Sequence, residues 1–140
     1  MSEQQRAFFD LSTLDTAKLA DEGVVMHFRH PESNEKLPLW VRLKGADSEA
    51  YQRVADASLN EVFKQIAKAG KVNRTAVDTR EERINSVCAM ITEWGGFSKN
   101  GEGLELTDDN KKEIFGWRGY GWALDQANTY ILDRANFLPK

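Results

Sequence analysis

The sequence holds little that invites covalent or metal chemistry. Among its 140 residues there is one cysteine, Cys88, and there are two histidines, His27 and His30. A lone thiol excludes an intramolecular disulfide and a cysteine-built metal cluster, and it fits a reducing compartment. No stretch approaches the ~20 consecutive apolar residues that a membrane-spanning helix needs. The opening Met1-Ser2-Glu3-Gln4-Gln5 has no basic segment followed by an apolar run, so no secretory signal is expected and the expected location is cytoplasmic. A basic excess is missing too. Nineteen Lys and Arg stand against 22 Asp and Glu, a net charge of −3. Both halves of the chain are close to balanced, so neither is a basic arm or an acidic tail. Proteins that bind nucleic acid draw most of their affinity from phosphate neutralisation, so nucleic acid is an unlikely partner on charge alone.

The chemistry-bearing residues that remain have plain structural explanations. His27 and His30 are three apart in or beside a strand and have no third ligand nearby, whereas a metal site needs three or four. Cys88 falls on the apolar stripe of a helix, where a thiol behaves as a small hydrophobe. Glu81-Glu82 and Asp108-Asp109 sit at helix starts, where the helix dipole favours negative charge. No phosphate-binding loop, dinucleotide fingerprint or nucleophile elbow is present. The segment Arg118-Gly119-Tyr120-Gly121-Trp122 overlaps the RNA-binding pattern of base, glycine, aromatic, glycine, aromatic. That pattern requires a strand and a further aromatic, but Asp125 stands in the latter's place and the residues downstream are helical. A tight bend between helices, with aromatics used for packing, is the better reading. The expectation is a protein that is not an enzyme and has no cofactor and no metal.

What the chain does have is apolar and aromatic surface: 41% hydrophobic residues, with four Trp, seven Phe and three Tyr. Residues 1–13 read as a loosely held lead-in, and a short helix follows around Asp15 to Asp21. Residues 23–44 read as a β-hairpin. Val24, Met26 and Phe28 alternate with Val25, His27 and Arg29. After the turn His30–Asn34, Leu39, Val41 and Leu43 alternate with Trp40, Arg42 and Lys44. Residues 47–138 read as helical. A helix capped at Asp47 or Ser48 carries one apolar stripe, Tyr51, Val54, Leu59, Val62, Phe63 and Ile66, and ends at Gly70. Capping boxes at Thr75 and Thr79 precede a helix burying Ile84, Val87, Cys88, Ile91 and Trp94, which Gly95-Gly96 closes. Phe97 to Leu106 is an exposed loop or short hairpin. Thr107 caps a short helix through Ile114 and Phe115. A last helix from about Trp122 buries Leu124, Ala127, Ile131 and Phe137. The fold class is α+β, mainly α: an N-terminal β-hairpin packed on a bundle of about four helices, in a single domain.

Several pieces fall in a telling order. A hairpin leads into Gly45-Ala46-Asp47-Ser48-Glu49-Ala50-Tyr51 and a long helix. Ile91-Thr92-Glu93-Trp94-Gly95-Gly96-Phe97 comes next, then a glycine-rich loop to Leu106-Thr107-Asp108-Asp109-Asn110. A final helix carries Asp125-Gln126 and ends near Arg134-Ala135-Asn136-Phe137. From about Leu14 to Phe137 this series resembles the tail assembly chaperones of long-tailed bacteriophages. The departure is Gly116 to Gly121, which is richer in glycine than that pattern. The resemblance implies a non-catalytic role: binding the tape-measure protein, a very long and largely helical chain, until tail-tube subunits polymerise around it. It also implies a host-cytoplasmic protein absent from the mature virion. A longer form made by ribosomal frameshifting would recruit the tail tube protein.

Sheltering an amphipathic helix requires an apolar groove or patch with a polar rim. Three aromatics are the candidates for exposed partner contacts: Trp40 on the polar side of its strand, and Trp117 with Tyr120 in the glycine bend. Repeated binding along one long client favours self-association, so a homo-oligomer is expected. Two other classes fit the same sequence. One is a structural head–tail or tail connector of a phage; behind it stands a nucleic-acid-binding phage regulator that would need the Arg118 motif to be real.

Overall fold

The computed structural model describes residues 8–70 and 76–140. It is mainly helical, with a small antiparallel sheet, as the hydrophobic periodicities imply. Strands β1 (Val24–Arg29) and β2 (Lys36–Leu43) form the expected hairpin, in register from Val24 opposite Leu43 to His27 opposite Trp40. Alternation does its work here. Met26, Phe28, Val41 and Leu43 are buried on one face, while His27 and Arg29 are exposed on the other.

The sheet has a third strand where the apolar spacing predicts helix. Helix α3 (Ala76–Met90) stops at Met90, and β3 (Ile91–Gly95) pairs antiparallel with β2, giving the order β1-β2-β3. Residues 47–138 are therefore not all helical, and Ile91 and Trp94 pack from a strand. The cause is a bulge. Leu43 faces Ile91 but Arg42 faces Glu93, so Thr92 is an extra residue. The extra residue puts inward-facing Ile91 and Trp94 three apart instead of two, which mimics helical spacing.

Helices α1 (Ala17–Glu22) and α2 (Glu49–Ala69) flank the hairpin in sequence. Ser48 caps α2, accepting from the Tyr51 N–H at 3.1 Å, and Asp21 accepts from the Glu49 N–H at 2.9 Å. Gly70 ends α2 in the left-handed region at φ +71°. Thr79 lies inside α3 and so does not start a helix, contrary to the capping box read there; Thr75 lies outside the described residues. After β3 comes a two-residue hairpin, β4 (Ser98–Lys99) with β5 (Glu102–Gly103). Thr107 then caps α4 (Asp108–Gly116), accepting from the Asn110 N–H at 3.1 Å. A 3₁₀ turn, Arg118–Tyr120, joins α4 to α5 (Gly121–Leu132), and a second, Arg134–Phe137, carries Phe137 outside the last helix rather than within it.

The core lies between the inner face of the sheet and α3, α4 and α5. Phe28 is its centre. It meets Phe97 edge-on at 5.9 Å, Trp122 edge-on at 6.4 Å and Phe115 at 6.2 Å between centroids. Trp94 stacks on Phe97 at 4.4 Å and donates its indole N–H to the Leu104 carbonyl at 3.1 Å, tying β3 to the loop before α4. Each fully buried Phe or Leu side chain contributes about 1.5–3 kcal/mol relative to exposure. The outer edge of β1 is bridged to α5 at its Arg29 end. Gln126 accepts from the Arg29 N–H and donates to the Arg29 carbonyl, both at 2.9 Å, in place of a further strand.

Candidate protein-binding surface

A polar cleft of about 670 Å³ lies between β1 and α5, lined by His27, Arg29, Lys36, Asp125, Gln126 and Tyr130 among others. The described residues contain no group of three or more His, Cys, Asp and Glu side chains placed to hold a metal. His27 is exposed on β1, and His30 uses Nδ1 to accept from the Glu32 and Ser33 N–H groups at the hairpin turn. The Cys88 thiol is buried and pushed up to about 11, because burial disfavours the thiolate more than the charges of Lys111 and Lys112 favour it. Arg118 to Tyr120 form a 3₁₀ turn rather than a strand.

The three aromatics proposed as anchors do not form one surface. Trp40 is half-buried on the outer face of the sheet, its indole lying where a side chain at Gly95 would begin. Tyr120 is half-buried on the inner side. It packs against the core and lines a crevice of about 100 Å³ with Phe28, Leu39, Phe97 and Trp122. Trp117 is the one that stays open, 53% exposed, with the Arg118 guanidinium 5.2 Å from its ring centroid.

A larger apolar surface lies on α2, whose sequence reads as a helix with one apolar stripe. No residue of this 21-residue helix is fully buried. Its half-buried positions are Ala50, Tyr51, Val54, Ser58, Val62 and Gln65, on the side that packs against α3 and the core. Leu59, Phe63 and Ile66 are exposed. At about 100° per residue, they lie roughly 100° round the axis from the covered face. What reads as a single stripe is thus two, and a single neighbouring helix covers only one of them. The width of the stripe was the available signal, since six apolar positions over so broad an arc exceed what one packed helix can hide.

Between α2 and α3 runs a groove of about 800 Å³, lined by Tyr51, Val54, Leu59 and Val62 from α2 and by Asn85, Ser86 and Ala89 from α3. Ser58 donates to Glu82 across it at 2.9 Å. The floor is apolar and the α3 wall polar, and Leu59 links groove and outer stripe into one surface. A second exposed apolar set lies near the N-terminus: Phe8, Phe9, Leu11 and Leu14. Its root is pinned. Thr16 donates to Asp47 at 2.6 Å, and Arg134 pairs with the same carboxylate at 2.8 Å. The hydrogen bonds from Arg134 and then Thr16 hold the Asp47 carboxyl below its ordinary range.

Comparison with family models, with curated proteins and with solved structures found no match to this chain. No helix among the described residues is long and apolar enough to cross a membrane.

Proposed function

We propose that this chain is a non-catalytic phage tail assembly chaperone. It binds the tape-measure protein and keeps it soluble until the tail tube polymerises, and it is absent from the mature virion. The observation that carries this reading is α2, with its apolar stripe Leu59, Phe63 and Ile66 open beside the α2–α3 groove. An amphipathic client helix needs a long apolar surface flanked by polar groups, because its own apolar face must leave water while its polar face stays wet. A 21-residue helix is about 31 Å long, enough to lie alongside several turns of such a client. Trp117, exposed in the bend between α4 and α5, is a second contact point. In the cytoplasm of the infected host, a frameshifted longer form would add the contact to the tail tube protein.

The test is co-expression with the tape-measure protein encoded downstream. The soluble fraction of the long protein should rise severalfold with this chain, and should fall back when Leu59, Phe63 and Ile66 are all replaced by Ser. If the long protein stays equally insoluble with and without this chain, the reading fails.

A further inference from the structure

Seven large apolar side chains on two separated elements lack cover. Phe8, Phe9, Leu11 and Leu14, on the N-terminal arm, are between 54% and 86% exposed. Leu59, Phe63 and Ile66, on α2, are between 42% and 58% exposed. Monomeric proteins seldom leave patches of this kind open. We propose that the arm of one copy docks on the α2 stripe of a second copy, and that the second arm returns the contact, giving a two-fold dimer. The inference goes beyond the chaperone reading and stands without it; where both hold, arm and client compete for one stripe, and a client helix must displace the partner's arm.

Three observations favour a second copy over other occupants. The first is length. With Ala55, the exposed stripe runs over 12 residues, Ala55 to Ile66, about 16 Å of helix. The arm from Phe8 to Leu14 contains the 3₁₀ turn Leu11–Leu14, which Asp10 caps by accepting from the Ser12 N–H. With about 2 Å per residue in the turn and 3.3 Å before it, the arm also spans about 16 Å.

The second observation is reach. Thr16 is tied to Asp47, at the start of α2. Leu59 lies about 16 Å along the helix from Ser48 and Ile66 about 27 Å. On its own helix the tethered arm would bring only Phe8 and Phe9 level with the stripe, leaving Leu11 and Leu14 short. A stripe in another molecule is under no such restraint.

The third is area. At roughly 200 Å² per fully exposed large apolar side chain, the seven residues offer on the order of 900 Å². That falls just below the ~1,000 Å² a specific interface needs, and exchange in both directions lifts it to about 1,800 Å², within the range of stable complexes. Isologous pairing of this kind closes on itself as a dimer.

The experiment is sedimentation velocity on the full chain alone, from low micromolar upward. The expected result is a species of twice the 15.9 kDa chain mass. The double variants F8S/F9S and F63S/I66S should each weaken dimerisation at least 100-fold, with unchanged far-UV circular dichroism because every altered side chain is exposed. An equimolar mixture of the two should associate more tightly than either variant alone but more weakly than the unaltered chain, through its one intact arm–stripe contact. A second readout covers any variant that folds poorly: F9C chains mixed with F63C chains, both carrying Cys88→Ser, should cross-link between molecules on oxidation. A monomer at all concentrations, a dimer that both double variants leave intact, an open-ended assembly, or a cross-link that forms only within one chain carrying both cysteines would each overturn the proposal.

Discussion

Gly96 adopts φ +80°, and a Cβ built on it would collide with the carbonyl oxygen of Pro38. Both restraints act at once: the left-handed backbone disfavours any side chain, and the close approach of β2 leaves no room for one. Gly96→Ala should therefore cost about 2–4 kcal/mol in urea unfolding. A loss below ~0.5 kcal/mol would show that the approach of Pro38 relaxes freely. A second residue-scale test concerns Asp47, which joins Thr16, at the root of the arm, to Arg134 in the last turn. Its carboxyl titrates below the unfolded value of about 3.9, so its contribution to stability is present at neutral pH and is lost as pH falls from about 4 downward. Asp47→Asn should lower Tm at pH 7 and make no difference near pH 2. A Tm gap that persists unchanged at pH 2 would mean that packing rather than charge is responsible.

At the scale of elements, the two faces of α2 predict opposite behaviour from the core. Ile131, 1% exposed in α5, should cost about 2–5 kcal/mol when cut to Ala. The triple change L59S/F63S/I66S, far larger in chemistry, should leave unfolding of the monomer within ~0.5 kcal/mol, because water already covers those side chains. Equal destabilisation by both would place the stripe in the core. Which elements were legible follows from how local their signals are. The hairpin β1–β2 could be read because period-two alternation, a turn and Pro38 all lie within 20 residues of each other. Ser48, Gly70 and Thr107 could be read as caps because capping is a bond between near neighbours. β3 could not. Its bulge at Thr92 reset the alternation to a helical step, and only pairing with β2, some 50 residues away, fixes Ile91–Gly95 as a strand.

At the scale of the whole molecule, the surface divides by what covers it, and coverage is a property of tertiary packing that no single segment carries. Trp117 kept the exposure expected of it, but Trp40 settled on Gly95 and Tyr120 on the core, since both lie within reach of neighbours brought in by β3 and α5. The residues that stayed open, Leu59, Phe63 and Ile66, carry an ordinary core signature; what distinguishes them is that, among the described residues, no second element packs on that side of α2. The proposed chaperone role rests on that helix as the client surface. Its most direct test places benzoylphenylalanine at position 63 and irradiates cells that co-express the tape-measure protein. The expected result is a covalent adduct of chain and tape measure mapping to an amphipathic helical segment of the latter, with a much weaker adduct when the same group replaces Trp40. Adducts absent from position 63 but abundant from position 40 would contradict it.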